Sequence, residues 1–230
     1  MKNYLIIGAS SGIGKALAQQ LADQGYNVYG TFNENSTDIS GVSFHRLNVE
    51  DDEIDLGFLP DELDGLAYCP GTINLKPFHR IKPETFRSDY ELQVIGAIKV
   101  IQSALPRLKK RDVSSIVMFS TIAVQIGFPF HSLVASSKGA LEGLTKSLAA
   151  EYAPRIRVNC IAPSLTHTPL AARLLSSEEK AEAQASRHPL KKIGSSDDIA
   201  AMARFLLTDQ SSWISGQVMH FDGGLSTLKV

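Results

Sequence analysis

The chain has 230 residues, of which 43% are hydrophobic and 20% are charged, and its formal net charge is −1. This is ordinary globular composition, and the length suits one large domain or two small ones. Because 23 basic and 24 acidic residues form no dense block of either sign, we expect no nucleic-acid and no membrane partner. We read no signal peptide in the first residues, and we interpret Cys69 and Cys160 as buried reduced thiols. We therefore expect a cytoplasmic protein.

Short apolar runs alternate with longer amphipathic stretches along the chain. They predict seven strands, over residues 5–7, 28–32, 42–49, 63–68, 115–120, 157–162 and 217–221. They predict helices over residues 14–25, 83–105 (with Pro106 near its end), 136–152, 170–187 and 196–207, the last capped by Ser195 or Ser196. Residues 33–41 are too few for a crossover helix and are predicted to form a loop. Strands separated by helices predict a mostly parallel sheet with helices on both faces.

A glycine-rich segment, Gly8-Ala9-Ser10-Ser11-Gly12-Ile13-Gly14, follows the first predicted strand and opens the first predicted helix. Glycine lets the backbone turn tightly and approach a pyrophosphate with no Cβ in the way. The helix N-terminus then offers free N–H groups and positive partial charge to the phosphates. Strand, spacing and helix together favour a dinucleotide site over a plain glycine turn.

The spacing G-x-x-x-G-x-G, with Ala-Ser-Ser inside it, resembles that of the short-chain dehydrogenase/reductase family. The resemblance extends along the chain through Asn48-Val49, Cys69-Pro70-Gly71, residues 136–141, residues 157–164, Thr168-Pro169, Gly216-Gln217 and residues 222–224. It implies a single-domain α/β Rossmann fold over residues 1–230, doubly wound around a seven-stranded parallel sheet with helices on both faces. It also implies a small-molecule substrate and a homodimer or homotetramer, and we predict no metal site.

The resemblance implies NAD or NADP as the cofactor. The residues it assigns to cofactor binding are Gly8, Ser10, Ser11, Gly12, Ile13, Gly14, Thr31, Asn33, Asn48, Val49, Cys69, Gly71, Lys138, Pro163, Thr166 and Thr168. An acid at the end of the second strand would bind the ribose of NAD and repel the extra phosphate of NADP, but that position is Phe32. No arginine or lysine stands at residues 11, 32 or 33 either. Thr31 and Asn33 can bond a phosphate, so the sequence favours NADP, while Glu34 could serve NAD if its loop is shifted.

In the family a tyrosine moves the proton, a serine bonds the substrate oxygen and an asparagine in the long helix holds a water. The tyrosine stands four residues before a lysine, so the two share a helix face. Aligned in this way, the lysine is Lys138, the serine position is Thr121 and the asparagine position is Gln93. The tyrosine position is Val134, which carries no proton, so we interpret the chain as an atypical member.

Three groups could replace the tyrosine. His131 lies three residues before Val134, and imidazole is the side chain that ordinarily changes charge between pH 5 and 8. Tyr90 lies one turn before Gln93, although helix tyrosines more often pack by their rings. Lys138 or a water could also supply the proton, at a rate about 10²–10⁴-fold lower.

Residues 166–192 are polar and largely helical, and in the family this region is a lid over the substrate. Phe128, Phe130, Leu133 and residues 170–175 predict an apolar pocket mouth and a substrate with hydrophobic bulk. The sequence thus predicts an NAD(P)-dependent oxidoreductase acting on an alcohol or carbonyl compound, with an atypical proton donor. The alternatives are a catalytically silent dinucleotide-binding sensor or structural partner, favoured by Val134, and dehydration or isomerisation using His131.

Overall fold

The structure is a computed structural model and describes residues 1–229. Its strands are β1 (Asn3–Ile7), β2 (Asn27–Phe32), β3 (Val42–Arg46), β4 (Gly65–Tyr68), β5 (Ser114–Phe119), β6 (Ile156–Pro163), β7 (Thr166–His167), β8 (Gly194–Ser195) and β9 (Val218–Phe221). Seven of them form one parallel sheet in the order β3-β2-β1-β4-β5-β6-β9, which confirms the predicted sheet. β7 and β8 form a separate two-stranded pair.

Helices cover both faces of the sheet. They are α1 (Gly12–Ala22), α2 (Pro83–Tyr90), α3 (Gly96–Leu108), α4 (Ala123–Ile126), α5 (Ser132–Tyr152), α6 (Glu178–Ser186) and α7 (Ser196–Leu207). Successive side chains of a strand point to opposite faces, so Tyr4 and Ile6 pack with α1 and α7 while Leu5 and Ile7 pack on the side of α3 and α5. The sheet is therefore doubly wound, as predicted.

The predicted helix over residues 83–105 is one continuous rod with an irregular middle. A π-helical turn, Glu91–Ile95, separates α2 from α3. Pro106 lies near the end of the helix as predicted, but the predicted end at Leu105 is three residues short, because α3 continues to Leu108 and buries that side chain completely in the core. Within the π turn the Leu92 carbonyl accepts a hydrogen bond of 2.5 Å from the Tyr68 hydroxyl.

The predicted helix over residues 170–187 is divided in two. A 3₁₀ segment, Pro169–Leu175, precedes α6, and Ser177 caps α6 by accepting a hydrogen bond from the Lys180 backbone N–H at 3.2 Å. A serine that accepts from the backbone in this way starts a new helix instead of continuing the old one. Ser195 caps α7 in a capping box, as predicted, and residues 33–41 form the predicted loop.

The strand order places a site at one edge of the sheet. It reverses between β1 and β4, and in open α/β sheets ligands bind beyond the carboxyl ends of the strands at such a point. The glycine-rich loop follows β1 there, and Cys69 follows β4. Across residues 1–229 the helices are too short or too polar to traverse a lipid bilayer.

Candidate active site

A groove of about 420 Å³ runs over the carboxyl ends of β1, β2 and β4. Thirteen of the sixteen residues predicted to bind the cofactor line it: Gly8, Ser10, Ser11, Gly12, Ile13, Gly14, Thr31, Asn33, Asn48, Val49, Cys69, Gly71 and Thr168. The other three, Lys138, Pro163 and Thr166, line the cavity beside it. The cysteine prediction is half right: Cys160 is buried, but Cys69 is partly exposed because it lies where β4 ends.

The glycine-rich loop has a shape that side chains would prevent. A Cβ on Gly14 would lie 2.2 Å from the Gly8 carbonyl oxygen, and Gly12 has a φ of +52°. The loop is also held from below by Thr31, whose hydroxyl accepts from the Gly8 N–H at 3.2 Å and whose carbonyl accepts from the Ala9 N–H at 2.8 Å. The loop N–H groups at the start of α1 are therefore held close to the groove with no side chain in front of them.

A basic residue missed from the sequence, Arg46, lies beside the β2 end of the groove; it is exposed and does not itself line the groove. Arg46, paired with Phe32 across β3 and β2, donates from Nε to the Asn33 carbonyl at 3.2 Å. Asn33 and Glu34 both line the groove. Asn48 also lines it, while its side chain bonds Asp51 at 2.7 Å and the Glu50 N–H at 3.2 Å. Arg46 reaches this position because β3 pairs in parallel with β2. It is 13 residues from Asn33 in the sequence, so inspecting the residues around 32–33 does not reveal it.

A second cavity of about 530 Å³, here called the bowl, opens from the groove. The two share Ile13, Cys69, Gly71, Thr168 and Leu170. Apolar side chains form much of the bowl's wall, and they include Phe119, Ile122, Phe128, Phe130, Val134, Leu165, Leu174 and Leu225. The predicted apolar mouth is thus largely present, except that Leu133 is 1% exposed and does not line the bowl, because α5 begins at Ser132 and turns this side chain inward.

Lys138 lies in the bowl near its junction with the groove and is only 8% exposed. Burial lowers its pKa from 10.5 to about 8, although the nearby Asp89 carboxylate opposes the shift. A Cβ on Gly71 would lie 3.4 Å from Lys138 Nζ and 3.3 Å from Gln93 Oε1, so these two atoms flank the same point. Gln93 Oε1 is buried and has no hydrogen-bond partner within residues 1–229. The unpaired Gln93 oxygen and the buried Lys138 amine thus both lie close to Gly71.

A buried carboxylate, also missed from the sequence, fixes the Gln93 amide. Asp89 accepts hydrogen bonds from Gln93 Nε2 at 2.7 Å, from Ser137 Oγ at 2.6 Å and from the Thr72 hydroxyl. Because the amide nitrogen is held by Asp89, Oε1 is left to face the side of Lys138. The spacing of four residues between Asp89 and Gln93 on a helix is the signal that could have revealed this pair.

Two neighbouring hydroxyls at the end of β5 have different surroundings. Ser120 donates to Glu142 at 2.6 Å, and Gln125 donates to the other oxygen of the same carboxylate at 2.6 Å. Thr121 also lines the bowl, and its hydroxyl accepts only a local bond of 3.3 Å from the Ala123 N–H. The Thr121 hydroxyl therefore keeps its own hydrogen for a ligand in the bowl.

The groups proposed to replace a tyrosine occupy different places. Val134 lies one turn before Lys138 and lines the bowl at 7% exposure. His131 also lines the bowl, with Nδ1 2.8 Å from the Pro129 carbonyl oxygen and its ring 5.3 Å from that of Phe128. Tyr90 is 42% exposed and lines neither cavity, so the structure removes it as a candidate.

A further histidine in the wall of the bowl was not identified from the sequence. His188 is 3% exposed, and its Nε2 lies 2.8 Å from the hydroxyl of Ser164, which follows β6. Nothing in the local sequence distinguishes His188 from a surface residue. Ser164 had a weak signal, since it occupies the second place of the Pro-Gly turn that the family resemblance implies. Across residues 1–229, no group of three or more potential metal ligands is present.

The whole chain is similar to known proteins. Residues 8–226 match a family model described as Enoyl-(Acyl carrier protein) reductase. The chain is 32% identical over 244 residues to a tropinone reductase homolog of Arabidopsis thaliana, covering 98% of this chain and 92% of the relative. It is 33% identical over 241 residues to the 3-oxoacyl-[acyl-carrier-protein] reductase FabG of Thermotoga maritima, covering 97% of each. It also resembles the solved structure of ElxO with NADP bound, with a TM-score of 0.88 and 29% identity over 99% of both chains.

These relatives align along nearly the full length, and they share the fold whose switch point carries the groove. The chain therefore belongs to the short-chain dehydrogenase/reductase family of oxidoreductases.

Proposed function

We propose that the chain is an NAD(P)-dependent oxidoreductase that interconverts an alcohol and a carbonyl compound, with NADP as its preferred cofactor. The observation that carries this proposal is the continuity of groove and bowl, with Lys138 near their junction. The residues present fit a dinucleotide, because the loop leaves no room for a Cβ at Gly14 and exposes helix N–H groups to the groove. A bound nicotinamide would supply or take the hydride.

The preference for NADP is supported by charge at the β2 end of the groove. Arg46 uses only Nε toward Asn33, and within residues 1–229 its two Nη nitrogens have no protein partner. A guanidinium can bind a phosphate with two parallel hydrogen bonds, which the uncharged ribose of NAD does not offer. Glu34 lines the same end and would favour NAD, so the two cofactors must be compared directly.

The chain's own side chains divide the remaining tasks. The Thr121 hydroxyl donates to the substrate oxygen, and the Lys138 ammonium bonds the nicotinamide ribose and supplies positive charge. Gln93, whose Nε2 donates to Asp89, accepts through Oε1 from a water beside Lys138. Val134 stands in place of the family's tyrosine, so another group must move the proton. His131, predicted from the sequence, has an Nε2 without a partner within residues 1–229.

The bowl favours a carbonyl compound with hydrophobic bulk. Its walls are rich in aromatic and aliphatic side chains, and residues 166–192 would cover it as a lid. The relatives named for 3-oxoacyl and tropinone reduction suggest the first probes: a 3-oxoacyl thioester and a bulky alicyclic ketone. The two thiols read as reduced support a cytoplasmic location. The family resemblance supports a homodimer or homotetramer, which sedimentation in solution would test.

The proposal is tested by titrating the protein with NADPH and NADH and then following nicotinamide absorbance with a panel of carbonyl compounds. We expect saturable binding, tighter for NADPH, and turnover of at least one probe. Binding without turnover across the panel would instead favour the silent dinucleotide-binding sensor. The variant H131A tests the sequence-based donor, since an undiminished kcat would remove His131 from the mechanism.

A further inference from the structure

The bowl contains a second candidate proton path, formed by Ser164 and His188. Ser164 directly follows β6, and the Ile122 N–H donates to the Pro163 carbonyl at 3.2 Å. This bond ties the segment that carries Thr121 to the one that carries Ser164. Both residues line the bowl, so two hydroxyls from neighbouring strands face the same space.

The hydrogen bonds of His188 determine which of its nitrogens carries the proton. Nδ1 lies 2.9 Å from the Gln184 carbonyl oxygen, which can only accept, so Nδ1 must be the protonated nitrogen. Nε2 of the neutral ring then accepts from the Ser164 hydroxyl, 2.8 Å away. When the ring is charged, Nε2 donates to Ser164 instead, because a hydroxyl can also accept. Both protonation states therefore fit without movement.

His188 is also better placed for this task than His131. It is 3% exposed, and its chain segment is anchored by a 3.2 Å hydrogen bond from the Leu190 N–H to the Gly223 carbonyl. His131 has one nitrogen on its own loop and no hydroxyl on the other. Only the His188 ring is linked through a hydroxyl to the interior of the bowl.

We infer that Ser164 and His188 form the proton relay that replaces the tyrosine, an inference that rests on the proposed function. In the direction of reduction, the carbonyl carbon would take a hydride from the bound reduced nicotinamide, which would be left oxidised, while the Ser164 O–H bond breaks and its proton passes to the carbonyl oxygen. The Nε2–H bond of the His188 imidazolium breaks in turn, and that proton restores the Ser164 hydroxyl. The ring is left neutral, and after the product leaves it is recharged through Ser164: a proton from water in the bowl reaches Ser164 Oγ while the Ser164 hydroxyl passes its own proton to Nε2. Oxidation runs the same transfers in reverse.

Ser164 is the catalytic residue of the pair, and His188 acts through it. A purely structural tie between lid and sheet is the competing role, and the variant H188Q separates the two. Glutamine can still accept from Ser164 and so keeps the tie, but it cannot be protonated. S164A removes the hydroxyl, and S164T keeps it. The matched control is H220Q, since His220 forms an exposed pair with Ser226 at 3.1 Å and lines neither cavity.

The experiment measures kcat and KM with NADPH and acetoacetyl-coenzyme A as the 3-oxoacyl probe, or with the best carbonyl compound of the panel if that one is not reduced. It also measures the Kd of NADPH by fluorescence and the ring nitrogens of His188 by ¹⁵N NMR. For H188Q and S164A we expect kcat to fall by about 10²–10⁴-fold, with KM and the NADPH Kd little changed. S164T should keep most of the kcat of the unaltered protein, and H220Q should keep all of it. The NMR spectrum should show protonated Nδ1, with an Nε2 signal that shifts in S164A.

A turnover in H188Q close to that of the unaltered protein would overturn the relay, as would loss of turnover in H131Q with retention in H188Q. An Nε2 signal that does not respond to S164A would overturn it as well. Failure of the proposed function has a different signature. The unaltered protein would then reduce no carbonyl compound on the panel, and the relay would fall together with the reaction it serves.

Discussion

The groove and the bowl share one wall but are built from different parts of the chain. The groove is distinguished by a backbone feature, the glycine-rich loop between β1 and α1. The loop can adopt its shape because Gly14 has no Cβ to collide with the Gly8 carbonyl. The bowl depends on side chains from distant segments, with Lys138 from α5, Ser164 from the end of β6 and His188 from the segment after α6. A loop shaped by its backbone keeps its form when the non-glycine residues around it are substituted. A cavity lined by side chains changes its chemistry with each substitution. If the groove holds the cofactor and the bowl the substrate, as proposed, cofactor binding can persist while the catalytic side chains change.

Lys138 lines the bowl near its junction with the groove and is proposed to bind both cofactor and substrate, so its replacement should have the largest effect. We expect K138M to lower kcat/KM by about 10²–10³-fold, because a donor to bound ligand is lost. In the unaltered protein, turnover should also decline as pH rises through about 8 and the amine loses its charge. Steady-state kinetics across pH 6–10 would measure both effects. K146M, at an exposed position of the same helix, should change neither.

The same substitution should stabilise the fold. The Lys138 pKa is about 8 in the folded protein and 10.5 when unperturbed, a difference that corresponds to roughly 3 kcal/mol. Below pH 8 both states carry the proton and the folded state bears this whole penalty. Between pH 8 and 10.5 only the unfolded state stays protonated, so stability rises with pH, and above 10.5 the contribution vanishes. Urea unfolding should therefore give K138M a larger free energy of unfolding than the unaltered protein at pH 7, and the difference should disappear by pH 10.5. An equal difference at both pH values would contradict the burial argument.

Adding one methyl group to the glycine-rich loop should weaken cofactor binding in the groove. G14A places a Cβ against the Gly8 carbonyl, and the loop must move away from its binding shape. We expect the Kd of NADPH to rise about 10²-fold, from a strain of a few kcal/mol. G143A is the control, since a Cβ there meets nothing within 4 Å and alanine favours the helix. Unchanged NADPH affinity in G14A would show that the loop is not the phosphate site.

The network beneath the bowl should show a smaller but measurable effect. Asp89 accepts from three donors, and the amide of D89N would turn N–H groups toward some of them. We expect a loss of about 2 kcal/mol in unfolding free energy. Removing this charge should also lower the Lys138 pKa further, so turnover should begin to fall at a lower pH. D61N, at a highly exposed position paired with Lys110 at 3.6 Å, should leave both unchanged.

The smallest effect should be on cofactor choice. R46Q removes the only charge of the Arg46 side chain while keeping a polar group near Asn33. We expect the Kd of NADPH to rise about 10-fold and that of NADH to stay the same, since a single charge-assisted contact is lost. The control is R80Q, since Arg80 is exposed and, unlike Arg46, makes no hydrogen bond to a residue of the groove; it should alter neither affinity. Equal weakening of both cofactors would argue against a phosphate contact.

The sequence predicted the sheet and the groove because their signals are local. Strand, glycine loop and helix are contiguous between residues 3 and 22, and each follows from spacing and apolar periodicity. Helix boundaries follow less directly from the sequence, since burial of Leu108 carries α3 past Pro106 and a cap at Ser177 divides the helix predicted over residues 170–187. His188 and Arg46 were missed because their neighbours come from other strands or loops, and pairing of that kind leaves no mark in one sequence.

Direct hydride transfer is the central claim, and isotope transfer tests it most directly. The protein would be incubated with NADPH deuterated at both C4 positions of the nicotinamide and with each carbonyl compound of the panel, and the products would be analysed by mass spectrometry. The account predicts an alcohol carrying one deuterium on the former carbonyl carbon, and much less of it with G14A when NADPH is kept well below that variant's Kd. If NADPH binds but no deuterated alcohol forms from any carbonyl compound, the oxidoreductase assignment of this site is contradicted.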